Sequence, residues 1–187
     1  MLNVIFKIFT KVINNRVVKL AKKIISPVQT AFIKGRNILD GVVLLHETMH
    51  EVKSKKLDAV FFKVDFEKAY DKINWDFVFD ILRMKGFPEK FIGWVRKSVE
   101  IGKVAVMVND KIGHFFATKK GLRQGDPFSP ILFNIAVDLV SVLVERAQEN
   151  GLIKPLIPNL VEGGLSMLQY ADDISSCFRM TLSLLGT

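Results

Sequence analysis

The chain has 187 residues, of which 49% are hydrophobic, and it carries a formal net charge of +8. This apolar fraction excludes a disordered tail, and no run approaches the roughly 18 uninterrupted apolar residues of a membrane helix. The single cysteine, Cys177, excludes an intramolecular disulfide and a cysteine-based zinc cluster.

The positive charge is concentrated at the amino-terminal end. Residues 1–39 contain eight Lys or Arg and no acidic residue, so the remaining 19 basic residues balance the 19 acidic ones. A basic segment of this kind favours contact with phosphates. Two alternatives stay open: a solvated helix face, and a mitochondrial transit peptide, which is also rich in Arg and poor in acids.

The first half of the chain predicts helices around one strand. Apolar residues at helical spacing predict a helix over 4–23 and a second helix over 37–52. The run 59–66 is rich in Val and Phe, which is typical of a buried strand. Asn74 is expected to cap a helix that runs to residue 85, and a further helix is expected from 88 to about 100.

The second half predicts two hairpins around a long helix. Residues 103–109 and 112–119 alternate like strands joined by a turn at 109–110. The longest apolar helix is predicted over 129–150. Leu165–Tyr170 and Ile174–Phe178 are expected to form the second hairpin. The mixture of helices and antiparallel hairpins predicts an α+β fold.

Three carboxylates lie at unusual places in this pattern. Asp65 is near the end of the predicted strand, and Asp172 and Asp173 are at the tip of a hairpin with apolar arms. Burying a carboxylate is costly unless it is paired or binds a metal. Two divalent cations roughly 3.5–4 Å apart would explain why carboxylates occur at these places. Such a pair of ions would support nucleotidyl transfer by in-line displacement. Each aspartate taken alone is explained more simply as a solvated turn residue.

Three segments together resemble the motifs of reverse transcriptases. Residues 62–71 resemble motif A, residues 121–130 resemble motif B, and Tyr170–Asp173, which reads Tyr-Ala-Asp-Asp, resembles motif C. They occur in the order that the family has. Upstream, residues 2–12 and 29–40 are similar to the fingers region of non-LTR (LINE-type) retrotransposon enzymes, the plant ones especially.

The resemblance implies a right-hand polymerase palm, an antiparallel sheet with helices on one face, together with partial fingers. We expect the fingers over residues 1–58 and the palm with motifs A, B and C over residues 59–178. Residues 179–187 are an unassigned tail. No segment resembles a thumb, which we expect to be absent.

The resemblance also implies which residues carry the chemistry. Asp65 and Asp172 would hold two Mg²⁺ ions, with Mn²⁺ as the alternative, and Asp173 would support them as the third catalytic residue. The backbone of Phe66 would add a metal contact. Tyr70 would close against the sugar 2′ position, where a bulky ring excludes a 2′-hydroxyl and selects a dNTP.

Further residues would contact the nucleotide and the nucleic acid. Gln124 and Gly125 would line the nucleotide pocket with Arg123 beside them, and Lys34 and Arg36 would meet the template or phosphates. A solvated charge is the alternative for the three basic residues. The implied partners are an RNA template, a DNA primer and a dNTP, with no membrane. We expect a nuclear or cytoplasmic protein because the family must reach chromosomal DNA.

A short motif points to another class of enzyme. His46–His50 fits the H-E-x-x-H signature of zinc proteases, in which both histidines share one helix face. The signature requires a third ligand. The other histidine, His114, is in a predicted hairpin, and Glu67 already belongs to motif A. We therefore disfavour a zinc metalloprotease.

The chain departs from the family at both ends. We do not find the family's run before residue 2, which includes an Arg that contacts the triphosphate, or the parts that follow motif C. Residues 181–187 do not align with the family, and endonuclease and RNase H regions are not found. We therefore expect a fragment truncated at both ends with very weak activity or none. The alternative is a non-catalytic, nucleic-acid-binding remnant of a retroelement.

Overall fold

The computed structural model describes residues 4–157 and 164–180. Residues 1–3 of the predicted fingers, residues 158–163 of the predicted palm and residues 181–187 of the predicted tail lie outside these ranges. Residues 179 and 180, which were predicted to begin the tail, form the end of the last strand. The chain forms two compact units, each made of two stretches of sequence. We call residues 1–19 with 67–136 the helical unit, and residues 20–66 with 137–187 the sheet unit. The predicted division into fingers and palm at residue 58 stays a prediction.

The described residues form groups of helices and groups of strands, and all pairs of these strands are antiparallel, which confirms the predicted α+β class. The helices are α1 (Val4–Ile24), α2 (Ile38–Ser54), α3 (Ala69–Lys72), α4 (Trp75–Met84), α5 (Glu89–Glu100), α6 (Ser129–Val137) and α7 (Leu139–Glu149). The strands are β1 (Val60–Asp65), β2 (Lys103–Val104), β3 (Met107–Val108), β4 (Lys111–Ile112), β5 (Phe116–Ala117), β6 (Ile153–Pro155), β7 (Met167–Tyr170) and β8 (Asp173–Met180). Within the described residues, no helix is both long and apolar enough to cross a membrane.

Two helices begin at asparagine caps. The Asn37 side chain accepts a hydrogen bond from the backbone N–H of Leu39, and Asn74 accepts from the backbone N–H groups of Asp76 and Phe77. A cap of this kind satisfies backbone donors that have no partner within the first helical turn. The predicted helix starts near residues 37 and 74 are therefore confirmed.

The single helix predicted over 129–150 is wrong, because the helix breaks at Asp138 into α6 and α7. The Ser141 hydroxyl donates to the Asp138 carbonyl at 2.7 Å, and the backbone N–H of Ser141 also reaches that carbonyl, at 3.1 Å. A serine that bonds back to the preceding turn competes with the helical hydrogen bonds and bends a helix. The apolar pattern of the sequence gives no indication of this competition between side-chain and helical hydrogen bonds.

The hairpin predicted over 103–119 is present only as two short ladders. Strands β2 and β5 pair, as do β3 and β4. The turn lies where expected, with positive φ at Asn109 (48°) and Asp110 (59°), as a two-residue type I′ turn requires. All eight strand residues are exposed, so no buried face specifies a longer register.

Strand β8 is the centre of the main sheet in the sheet unit. It pairs antiparallel with β1 along one edge, and with β7 and then β6 along the other. The register aligns Val60 with Phe178 at one end and Asp65 with Asp173 at the other. Tyr170 of β7 also pairs with Asp173. The end of β1 and the β7–β8 turn therefore lie at the same end of the sheet.

A buried apolar cluster supports this sheet. Its members are Leu156, Ile157, Leu165 and Cys177, with Leu44, Val52, Ala59 and Leu168 packed against them. Cys177 is 0% exposed, and burial raises the pKa of its thiol to about 11. The thiol is therefore protonated at neutral pH and serves as a small apolar core group.

In the helical unit, Gly121 connects the segment after motif A to the start of motif B. Its N–H donates to the Ile73 carbonyl at 2.8 Å, and its carbonyl accepts from the Trp75 indole N–H at 2.7 Å. Its φ is +90°, and an added Cβ would lie 2.7 Å from the Asp71 carbonyl oxygen. Only glycine fits this position without displacing the backbone.

The substitution Gly121→Ala is expected to lower the free energy of unfolding by about 3 kcal/mol, since it combines an unfavourable φ with steric overlap. Gly86→Ala is the matched control, because Gly86 has φ +78° but nothing within 4 Å of an added Cβ. That control should cost only about 1 kcal/mol. Chemical unfolding of both variants provides the measurement, and equal losses would contradict the argument.

Candidate functional site

One end of the main sheet collects the three aspartates that the sequence singled out. Asp65 is the last residue of β1 and pairs in register with Asp173, the first residue of β8. Asp172 precedes Asp173 in the turn. Directly opposed residues of antiparallel strands have Cβ atoms about 4.5–5.5 Å apart on one face of the sheet. The Asp65 and Asp173 carboxylates therefore share a face.

Two carboxylates so placed repel each other, and Lys63 offsets part of this repulsion. Its Nζ lies 2.8 Å from an Asp173 carboxylate oxygen. The hydrogen bond to Asp173 and the negative charge of Asp173 raise the pKa of Lys63, and the charge of Asp65 raises it further. Asp173 is therefore engaged by a cation on the same face of the sheet.

The donors at this end of the sheet fit a hard divalent cation. Mg²⁺ is usually held by one or two carboxylates, and waters and substrate phosphates supply its other ligands. Asp65 and Asp172 would provide such a pair, and Phe66, the residue after β1, would add a backbone carbonyl. Across residues 4–157 and 164–180, no group of three or more His, Cys, Asp or Glu side chains is placed to hold a metal by itself.

The same result bears on the zinc-protease alternative. His46, Glu47 and His50 lie on α2, as the spacing predicts. A catalytic zinc site needs three protein ligands and one open position. In the part of the chain that the structure describes, no third ligand joins the two histidines. The structure therefore adds no support for this alternative.

The sheet face beside Asp173 opens into a groove of about 220 Å³. Its apolar wall includes Ile38, Val42 and Leu168, and its polar end includes Lys63 and Asp173. A ligand in this groove would contact both apolar side chains and the pair formed by Lys63 and Asp173.

The motif B residues lie in the helical unit and line a second cavity, of about 850 Å³. Gln124 and Gly125 are exposed at its wall. The Arg123 guanidinium lies 4.9 Å from the Phe6 ring centroid and donates to the Val99 carbonyl at 3.4 Å. Arg123 is therefore anchored at the cavity wall, although its contact with a nucleotide stays a prediction.

Tyr70 belongs to the helical unit as well. Its ring stacks on Phe133 with centroids 4.3 Å apart and an interplanar angle of 16°. Its carbonyl accepts from the Leu122 N–H of motif B at 2.7 Å. Phe133 therefore packs against one face of the ring, and the backbone bond connects the main chain of Tyr70 to motif B.

The two basic residues predicted to contact nucleic acid differ in their surroundings. Lys34 is exposed. Arg36 donates to the carbonyls of Ile25 at 3.0 Å, Ser26 at 2.7 Å and Gln29 at 2.6 Å. Burial lowers the pKa of Arg36, while the charge of Asp138 opposes this change. Arg36 thus stabilises the loop after α1, and its contact with nucleic acid stays a prediction.

Sequence reasoning missed two residues of the sheet unit that contact motif C. Lys63 could have been found, because it lies two residues before Asp65 and hence on the same face of β1. Gln29 could not have been found, because its partner, Ala171, is 142 residues away in sequence.

An antiparallel sheet with aspartates at a strand end and in the neighbouring turn defines the palm of a nucleic-acid polymerase. The sequence profile described as "Reverse transcriptase (RNA-dependent DNA polymerase)" matches residues 1–182. The chain belongs to this reverse transcriptase family. Members of the family generally use divalent metal ions.

Comparison with curated relatives indicates the type of transposable element to which the chain is similar. The chain is 26% identical over 169 residues to the transposon TX1 uncharacterized 149 kDa protein of Xenopus laevis, which covers 90% of this chain and 12% of that protein. It is 31% identical over 125 residues to the Pol polyprotein of retrotransposable element R2 from Nasonia vitripennis, which covers 65% of this chain and 12% of that protein. The chain is thus a reverse transcriptase domain of the non-LTR retrotransposon type, and spans about an eighth of these relatives.

A third relative comes from a plant. An uncharacterized mitochondrial protein of Arabidopsis thaliana is 42% identical over 57 residues, which covers 30% of this chain and 47% of that protein. Among solved structures, a telomerase from Candida albicans superposes with a TM-score of 0.59 at 10% identity, over 90% of this chain and 30% of that one. At this identity the match supports the polymerase fold alone.

Proposed function

We propose that the chain carries the catalytic palm of an RNA-directed DNA polymerase, which adds dNTPs to a DNA primer on an RNA template. The observation that carries this proposal is the register of β1 and β8, which aligns Asp65 with Asp173 beside the turn that contains Asp172. In-line nucleotidyl transfer requires carboxylates gathered at one point, where metal-bound phosphates can be held.

Each aspartate has a distinct part in this mechanism. Asp65 and Asp172 would hold two Mg²⁺ ions, with the backbone carbonyl of Phe66 as a further ligand. When bound, such ions lower the pKa of the attacking hydroxyl and neutralise charge on the leaving pyrophosphate. Asp173 would support the metal site from its pair with Lys63, whose positive charge reduces the repulsion between the neighbouring carboxylates.

Residues of the helical unit would select and orient the nucleotide. Tyr70 would exclude a 2′-hydroxyl by steric overlap. Its stacking on Phe133 supports this role, because Phe133 would prevent the ring from moving away from the hydroxyl. Gln124 and Arg123 would contact the nucleotide, and Gly125, at φ +80°, would allow close approach of the backbone. Lys34 and Arg36 would meet template phosphates.

The source and location are proposals of the same kind. The 42% identity to an Arabidopsis thaliana protein supports a plant retrotransposon. Action on chromosomal DNA would require access to the nucleus, so we propose a nuclear or cytoplasmic location for the chain.

A second candidate is a nucleic-acid-binding remnant without catalysis. One observation favours it: the Asp173 carboxylate is already engaged by the Lys63 ammonium group. In this case the basic segment over residues 1–39 would still bind phosphates.

Primer extension separates the two candidates. The full chain is incubated with a primed RNA template, dNTPs and Mg²⁺, and template-dependent incorporation is measured beside binding of the same duplex by fluorescence anisotropy. Incorporation that depends on Mg²⁺ supports the polymerase. Binding by folded protein without any incorporation supports the remnant.

A further inference from the structure

The turn that carries Asp172 contains a backbone conformation that its sequence disfavours. Ala171 has φ 54°, in the left-handed region where a Cβ makes the backbone unfavourable. Glycine would adopt this conformation freely, but the chain has alanine here. Ala171 is also 5% exposed, so its backbone groups cannot rely on water. Something in the fold must therefore hold the turn.

The side chain of Gln29 does so. Its Oε1 accepts from the Ala171 N–H at 3.0 Å, and its Nε2 donates to the Ala171 carbonyl at 3.4 Å. Gln169 adds a donor to the same carbonyl, at 3.1 Å. The N–H and the carbonyl of Ala171 are thus both hydrogen-bonded to side chains, and Gln29 bonds to both groups.

The orientation of the Gln29 amide follows from its partners. Its Oε1 also accepts from the Ala31 N–H at 3.0 Å. Backbone N–H groups only donate, so the oxygen must face Ala31 and Ala171, which leaves the amide nitrogen for the Ala171 carbonyl. Gln29 is 0% exposed, and this set of bonds offsets the cost of burying its amide.

The backbone around Gln29 is held in turn. The N–H of Thr30 donates to the Gln169 carbonyl at 2.9 Å, and the Gln169 N–H donates to the Val28 carbonyl at 2.9 Å. Arg36 donates to the Gln29 carbonyl at 2.6 Å. The loop after α1 is therefore tied to β7 directly before the turn, and Gln29 cannot withdraw without breaking several bonds.

We propose that Gln29 is a positioning residue for the motif C turn: it holds Ala171 in its left-handed conformation and so keeps Asp172 in the geometry that metal binding needs. Gln29 touches neither substrate nor metal in this role. The catalytic part of the inference rests on the proposed polymerase function, whereas the structural part does not.

Hydrogen exchange tests the structural part on the full 187-residue chain. Gln29→Met keeps the length of the side chain but removes the acceptor of the Ala171 N–H. Exchange in peptides that cover the turn should accelerate roughly 30-fold in this variant. Thr30→Val is the matched control, because Thr30 lies in the same loop as Gln29 and the substitution removes only a hydroxyl bond to the Gln169 carbonyl of β7. It should change exchange at the turn by less than about 3-fold.

A second variant keeps the test decisive if Gln29→Met does not fold. Gln29→Asn retains a buried amide but is one methylene too short to reach both groups of Ala171, so it should accelerate exchange in the same direction. Exchange at the turn that stays at the wild-type rate in a folded Gln29 variant, or that rises equally in Thr30→Val, would overturn the inference.

Kinetics tests the catalytic part. A displaced Asp172 impairs the chemical step more than nucleotide binding, so Gln29→Met should lower kcat about 10²-fold and change KM for dNTP by less than about 3-fold. A loss confined to KM would overturn the positioning role. If the wild-type chain is inactive, the proposed polymerase function of the isolated chain fails, and hydrogen exchange still decides whether Gln29 holds the turn.

Discussion

Replacing Asp172 with asparagine is expected to lower RNA-templated dNTP incorporation by about 10³-fold or more. Asparagine keeps the size of the side chain but removes the charge that a divalent cation requires. Metal stabilisation of the developing phosphate charge contributes several kcal/mol, and about 1.4 kcal/mol corresponds to a tenfold change in rate. Lost occupancy of one metal therefore suffices for an effect of this size.

Asp58→Asn is the control for this variant. Asp58 is an exposed aspartate of the same unit, just before β1, so the substitution removes an equal charge away from the site. It should leave incorporation within about twofold of wild type. Incorporation is measured at saturating dNTP, and thermal unfolding of both variants verifies the fold. An Asp172→Asn variant that retained a tenth of the activity would refute the assignment of Asp172 as a metal ligand.

Replacing Tyr70 with alanine is expected to relax discrimination against ribonucleotides by about 10²-fold. A rigid ring opposes the 2′-hydroxyl by overlap, and exclusion by shape disappears when the ring is removed. Because Tyr70 stacks on Phe133, the substitution also opens a cavity and should lower stability by about 3 kcal/mol.

Tyr70→Phe separates these two effects. It keeps the ring and its stacking but lacks the hydroxyl, so it should discriminate like wild type if the ring itself is the barrier. The measurement is the ratio of kcat/KM for a dNTP and for the matching rNTP in all three proteins. Equal relaxation in Tyr70→Phe and Tyr70→Ala would show that the hydroxyl, and not the ring, makes the selection.

At one end of the main sheet, two opposed carboxylates are held close together beside a lysine. Asp65 and Asp173 are directly opposed, an arrangement that destabilises a sheet when both carry the same charge. Lys63 reduces that repulsion in the free protein. Since this pair is exposed, it is worth little as a stabilising ion pair. Its main consequence is electrostatic, because the positive charge of Lys63 makes the potential at this end of the sheet less negative.

Local sequence determined much of this protein. The helix start at Asn37, the cap at Asn74 and the turn at Asn109 were predictable because each depends on neighbours only a few residues away. The order of the three motifs along the chain indicated the family, and with it the choice of Asp65 and Asp172 as candidates. The composition of the run 59–66 also predicted the strand β1, but its predicted burial is wrong, because five of the six strand residues are exposed.

Tertiary structure alone decided how these pieces are held. The break at Asp138, the use of Arg36 to hold three carbonyls of the loop after α1, and the grip of Gln29 on Ala171 all depend on competition between specific hydrogen bonds. A buried polar group takes whichever partner the fold brings within about 3 Å, and that partner can be far away in sequence. Periodicity and motif order carry no information on such pairings, so the candidate catalytic aspartates could be predicted from the sequence, whereas the contact of Gln29 with Ala171 could not.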